Sequence, residues 1–133
     1  ASNAPRRNCR AADAELRALR RCFARKRAVT IARLRRMGIS TMECRGSFYV
    51  WGCVKALPAP LNTGRGFFHA ALTHKVVAVP GELFDVNPMS GHREETKFTQ
   101  WLRFSFGPPE EQVLRGLDAL ESMVCEARVG LED

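Results

Sequence analysis

The chain has 133 residues, which is enough for one domain that buries a core without disulfides or a structural metal. Its formal net charge is +7, and its five cysteines form no CxxC pair and have no histidine at zinc-ligand spacing, so a disulfide framework and a metal site are not indicated. Cysteines in this pattern fit reduced thiols, so a cytoplasmic location is expected. No stretch is long and apolar enough to span a bilayer and the N-terminus lacks the apolar core of a signal peptide, so no membrane partner is expected.

A long basic helix is the first predicted element. Residues 1–14 are predicted to hold a tag-cleavage scar, Ser-Asn-Ala, and a disordered leader, and residues 15–130 to form a single domain. From about Ala11 to Met37 the chain lacks Gly and Pro, which predicts a helix about 40 Å long. Residues 6–36 carry twelve Arg or Lys and two acidic residues, a local charge of +10. Because this helix is longer than the domain needs for itself, we expect it to reach toward something else.

Three segments rich in apolar and aromatic residues predict strands. They are GSFYVW at 46–51, VVAV at 76–79 and WLRFSFG at 101–107. The VVAV segment is predicted to be a buried strand. Strand side chains alternate between two faces, so Leu102, Phe104 and Phe106 are expected to face the core and Arg103 the opposite side.

Two further helices and a long loop complete the predicted order. Residues 66–74 predict a short helix that carries the chain back across the sheet, and residues 80–100 predict a long polar loop of the kind that often carries function. Pro108 and Pro109, followed by two glutamates, predict the start of an amphipathic helix. The fold class is therefore α+β: a two-layer small domain, with a mixed three- to four-stranded sheet packed against helices and preceded by the long helix.

Arg103 has two interpretations on the residues alone. A guanidinium fixed on a strand offers a planar fork of donors that suits bidentate binding of a carboxylate. The simpler alternative is a solvated arginine on the outer face of a sheet, and the local sequence by itself favours this alternative.

The segments taken together resemble a known family. GSFYVW, VVAVPGELF at 76–84, WLRFSFG and the closing amphipathic helix are similar, in order and spacing, to the C-terminal small domain of class I/II pyridoxal-phosphate-dependent aminotransferases. The helix ending in FARKRAVTIARLRRMGI at 23–39 resembles that family's helix between the large and small domains. The resemblance covers about residues 15–126.

The resemblance implies roles for three residues. Arg103 matches the family arginine, in an R-x-S-[FY] strand, that binds the substrate α-carboxylate, while Phe48 and Tyr49 are candidates to line the substrate pocket. Both aromatic residues could equally be plain sheet core. The resemblance assigns no catalytic, cofactor-binding or metal-binding residue to this chain.

The resemblance also implies a larger enzyme. The parent would use pyridoxal 5'-phosphate to transfer an amino group between an amino acid and a 2-oxo acid, usually as a homodimer. The resemblance places its Schiff-base lysine and most cofactor contacts on an N-terminal large domain missing here. None of the four lysines of this chain has a context that matches the Schiff-base motif. The truncated chain is therefore expected to be inactive alone.

Two alternatives come from other classes. The arginine-rich helix could be a nucleic-acid-binding module, whose binding would depend strongly on salt, or the chain could be a protein-interaction module without catalytic activity. The first is opposed by the apolar stripe along the helix, which indicates that one face packs on protein, and by the lack of aromatic residues among the charges.

Overall fold

The computed structural model describes residues 4–86 and 96–130, with side chains from residue 9 onward. Most of the predicted scar and the centre of the predicted 80–100 loop lie outside these ranges. In chain order the elements are α1 (Ala4–Arg36), β1 (Ser40–Thr41), β2 (Tyr49–Cys53), α2 (Gly64–Thr73), β3 (Val79–Pro80), a 3-10 helix (Gly81–Phe84), β4 (Trp101–Ser105) and α3 (Glu110–Val129). The predicted α+β class is confirmed.

The sheet is antiparallel throughout the described residues, so the prediction of a mixed sheet was wrong. Its strand order is β1-β2-β4-β3, and every neighbouring pair runs antiparallel. Helix α2 does carry the chain back across the sheet, so β2 and β3 run in the same direction. The last strand, β4, then lies between them, and the two parallel strands never become neighbours.

The alternation predicted for the last strand is confirmed. Leu102, Phe104 and Phe106 are at most 5% exposed and face the helices, while Arg103 is half-buried on the opposite side. Phe104 packs edge-on against Phe67 of α2, with ring centroids 5.8 Å apart. The sheet therefore has one face in the core and one face that carries Arg103.

Among the described residues, the C-terminal half of α1 packs on this domain and the N-terminal half projects from it. Leu34 and Met37 are buried in the core, whereas Leu16 and Leu19 are 45% and 54% exposed. The helix begins at Ala4, earlier than the predicted start near Ala11, so that helix occupies most of the segment predicted as a leader. The predicted domain limits of 15–130 stay a prediction. No helix among the described residues is apolar over the length that a bilayer requires.

Two predicted strands have different limits in the structure. The first begins at Tyr49 rather than at Gly46, and VVAV enters the sheet only at its last residue, Val79. Val77 is 70% exposed, so the prediction of a buried strand over 76–79 was wrong for most of its length. The reason is the preceding helix end: the Val76 N–H donates to the Ala71 carbonyl, which keeps the chain turned away from β4 until Ala78.

A network of ion pairs joins α1 to α3. Arg33 contacts both Asp118 and Glu121 at 2.6 Å, and Arg36 contacts Glu121 at 2.7 Å. The Arg33 guanidinium, with a smaller contribution from Arg36, lowers the pKa of Glu121 from its ordinary 4.5 to about 2. The deprotonated carboxylate of Glu121 therefore stabilises the packed pair of helices.

This network predicts a loss of stability in acid. Because the folded-state pKa of Glu121 is depressed, its contribution is present above about pH 4.5 and disappears as the pH falls towards 2. With its side chain 25% exposed, we expect about 1–2 kcal/mol of unfolding free energy. The free energy of unfolding of the 133-residue chain, measured with urea at several pH values in this range, should change less with pH in Glu121→Gln than in the wild type. The exposed Glu111→Gln variant is the control, and an unchanged pH dependence in Glu121→Gln would contradict the prediction.

Candidate functional site

Arg103 lies at the centre of the sheet face that does not face the core. It stands in the middle of β4, opposite Trp51 on β2 and opposite Val79 on β3. Strands on both sides fix the backbone at this position. The side chain therefore projects from a rigid, central place in the sheet rather than from an edge or a loop.

Two aromatic rings hold the Arg103 guanidinium. Its Cζ lies 4.1 Å from the centre of the Tyr49 ring and 4.0 Å from the centre of the Phe84 ring. Stacking of a guanidinium on an aromatic face contributes about 0.5–2 kcal/mol, and more where water is excluded. Both contacts place the guanidinium carbon over an aromatic ring, and neither of them uses an N–H donor of the group.

The donors of Arg103 are not used within the described residues. Its Nε is buried and has no hydrogen-bond partner there. None of the ion pairs in the described residues involves Arg103 either. A buried donor without a partner costs about 1–3 kcal/mol, and more when it is charged. The arrangement is therefore suited to an anion with two acceptor atoms, of which a carboxylate is the simplest.

The structure brings together two of the three residues predicted from the sequence. Tyr49 stacks on Arg103, but Phe48 does not contact it. The Phe48 ring packs on Tyr49, with centroids 4.3 Å apart, and is 42% exposed. Phe48 therefore stands at the rim of this surface, one ring away from the guanidinium.

Phe84 is the neighbour of Arg103 that sequence reasoning missed. It lies on the 3-10 helix after Pro80, in a segment that was predicted to be loop. That helix lies close to β4: a Cβ added at Gly81 would be only 2.9 Å from the Trp101 carbonyl oxygen. The available signal was an aromatic residue four positions after a proline that follows a strand, and it was too weak to assign a contact.

Lys26 is a buried cation whose contacts lie at the end of the strand that carries Arg103. It is 4% exposed, and its Nζ donates to the carbonyls of Gly107 at 3.1 Å and Pro108 at 2.8 Å. Beside it, Arg25 forms an ion pair with Glu110 at 2.6 Å. These contacts tie α1 to the turn between β4 and α3, which gives Lys26 a structural role.

The described residues do not provide a metal centre or a lysine poised for covalent chemistry. No group of three or more His, Cys, Asp or Glu in residues 4–86 and 96–130 could hold a metal ion. Lys26 is engaged with carbonyls, and the other three lysines, Lys55, Lys75 and Lys97, are exposed. The chemistry that this surface can perform is binding of an anion.

Comparison with solved structures identifies the fold. No family model and no curated protein matches the chain. The aromatic aminotransferase from Pyrococcus horikoshii matches 86% of it with a TM-score of 0.69 and 21% identity. The aspartate aminotransferase from Thermus thermophilus, solved with maleate, matches 87% with a TM-score of 0.69 and 22% identity. The alanine aminotransferase from Pyrococcus furiosus matches 84% with a TM-score of 0.68 and 23% identity.

These matches define a class of fold. The chain has a fold found within aminotransferases, and the resemblance seen in the sequence is confirmed at this level. It spans only 26–27% of the length of each of these three proteins, so it corresponds to about a quarter of such an enzyme.

Proposed function

We propose that this chain is the C-terminal small domain of a pyridoxal-phosphate-dependent aminotransferase, and that Arg103 binds the α-carboxylate of its substrates. The observation that carries the proposal is the half-buried guanidinium whose Nε has no partner among the described residues. A carboxylate is common to an amino acid and to the 2-oxo acid made from it. One arginine could therefore serve both halves of the exchange, as binding and orientation require.

The remainder of the site would come from a large domain outside this chain. Pyridoxal 5'-phosphate supplies the electron sink for amino-group transfer when bound. The described residues do not fit the group by themselves, because their one buried lysine is committed to two carbonyls. We propose that the large domain holds most of the cofactor, that the parent is a cytoplasmic homodimer, and that this chain alone does not transaminate.

The exposed half of α1 supports an attached large domain. Leu16 and Leu19 lie on the side of the helix that continues the buried stripe of Leu34 and Met37, yet both are exposed. An apolar stripe that extends past its own core is suited to packing on another part of the protein. In the proposed parent this surface would contact the large domain.

The proposal is tested by absorbance of the full-length parent. We expect a visible cofactor band that bleaches when the preferred amino acid from a panel is added, and that returns when a 2-oxo acid follows. The 133-residue chain, incubated with pyridoxal 5'-phosphate and treated in the same way, is the control and should transaminate none of them. A full-length protein with no cofactor band would overturn the proposal.

The nucleic-acid alternative retains one supporting observation, the exposed arginines in the N-terminal half of α1. Arg10, Arg17 and Arg21 are all exposed. Towards its C-terminal end, however, Arg25, Arg33 and Arg36 pair with carboxylates of α3, so three of the twelve basic residues in this run neutralise acidic residues of the same chain. Binding to duplex DNA whose affinity falls steeply as salt is raised from about 50 to about 200 mM would favour this alternative.

A further inference from the structure

The orientation of Arg103 depends on its two aromatic neighbours. An arginine side chain has several rotatable bonds, and a bidentate contact requires its plane to be aimed correctly. The Nε atom has no hydrogen bond within the described residues that would fix this plane. The contacts that remain are the rings of Tyr49 and Phe84, each about 4 Å from Cζ.

Of these two rings, Phe84 is on a short 3-10 helix that is itself held at two places. The 3-10 helix that carries it begins at Gly81, whose backbone lies too close to β4 to admit a side chain. Glu82 of the same helix pairs with Arg65 of α2. The helix is therefore fastened both to the strand of Arg103 and to the layer of helices.

The Phe84 ring is also restrained by an aromatic contact with β2. Trp51 packs edge-on against it, with centroids 5.4 Å apart and an interplanar angle of 81°. The Phe84 ring therefore contacts Arg103 of β4 and Trp51 of β2, which are neighbouring strands.

We propose that Phe84 is a positioning residue that sets the plane of the Arg103 guanidinium for substrate carboxylates. The inference rests on the proposed function of Arg103. The two ring contacts restrain the guanidinium without using its N–H donors, which are the groups that a carboxylate binds. Replacing the ring by an aliphatic side chain keeps these donors accessible but leaves them less well oriented, so binding of the carboxylate weakens while later steps do not.

The test uses Phe84→Leu in the full-length parent, with Phe84→Met as a second variant of different shape. We expect about a tenfold increase in KM for the amino-acid substrate, with kcat changed less than about twofold. Inhibition by butyrate should weaken by a similar factor, whereas any inhibition by butyramide should not change. Phe84→Tyr retains the stacked ring and should restore both values. Phe98→Leu is the matched control, because Phe98 contacts Trp51 and not Arg103.

The outcomes separate this inference from the proposed function. If Arg103→Lys raises KM strongly while both Phe84 variants bind substrate and butyrate normally, Phe84 is not a positioning residue and the function of Arg103 stands. Equal effects of Phe84→Leu and Phe98→Leu would likewise overturn the inference, because loss of packing alone would explain them. If Arg103→Lys also leaves KM and butyrate inhibition unchanged, the proposed function itself fails.

Discussion

Arg103→Ala in the full-length parent is expected to lower kcat/KM for amino-acid substrates roughly a hundred- to several-thousandfold. This corresponds to a loss of about 3–5 kcal/mol of transition-state stabilisation. The variant removes two charge-assisted hydrogen bonds to the substrate carboxylate at once. Most of the loss should appear as a higher KM, because the carboxylate does not change during the exchange and is held in ground state and transition state alike. Steady-state kinetics with the amino acid found by absorbance measure the effect.

Two comparisons make this result specific to the fork of donors. Arg103→Lys keeps the charge but loses the planar fork, so its kcat/KM should fall between those of the wild type and Arg103→Ala. Arg45→Ala removes an arginine whose side chain is 85% exposed, and should behave as wild type. Wild-type kinetics in Arg103→Ala would remove this residue from the site.

Lys26→Met is expected to lower the unfolding free energy of the 133-residue chain by about 2–4 kcal/mol. The methionine fills a similar volume but cannot donate to the carbonyls of Gly107 and Pro108. It also loses the cation contact with the Phe23 ring, whose centre lies 4.2 Å from Nζ. Denaturant unfolding followed by tryptophan fluorescence measures the change.

A second variant on the same helix controls for the loss of positive charge. Arg20→Met removes an exposed cation from α1 and should change the unfolding free energy by less than about 0.5 kcal/mol. If Lys26→Met were no less stable than Arg20→Met, the two carbonyl contacts would contribute nothing to the fold.

Local patterns in the sequence predicted the parts of the fold that depend on neighbouring residues. The alternation along residues 101–106 placed Arg103 on the face away from the core, and the glutamates after Pro109 marked the start of α3. The position of β4 between β2 and β3 could not be predicted in this way, because pairing of distant strands leaves no periodic signal in either one. The mixed sheet was an error of that kind.

In the candidate site, too, local features were predicted from the sequence and contacts between distant segments were not. Arg103 and Tyr49 were identified because each belongs to a strand motif that resembles one in aminotransferases. Phe84 was missed because its contact with Arg103 depends on the tight approach of Gly81 to β4, which only the folded backbone reveals. Lys26 was likewise placed on a helix by its sequence, but its two carbonyl partners are more than 80 residues away along the chain.

The continuity of α1 has a mechanical consequence. Its C-terminal half is held to α3 by the Arg33 and Arg36 ion pairs and to the end of β4 by Lys26, while the same unbroken helix extends beyond the core. A tilt of about 5° at the packed end would move the far end by about 2–3 Å, since roughly 19 residues project at 1.5 Å each. A small rotation of the sheet would therefore be amplified along α1 into a larger displacement of its N-terminal end.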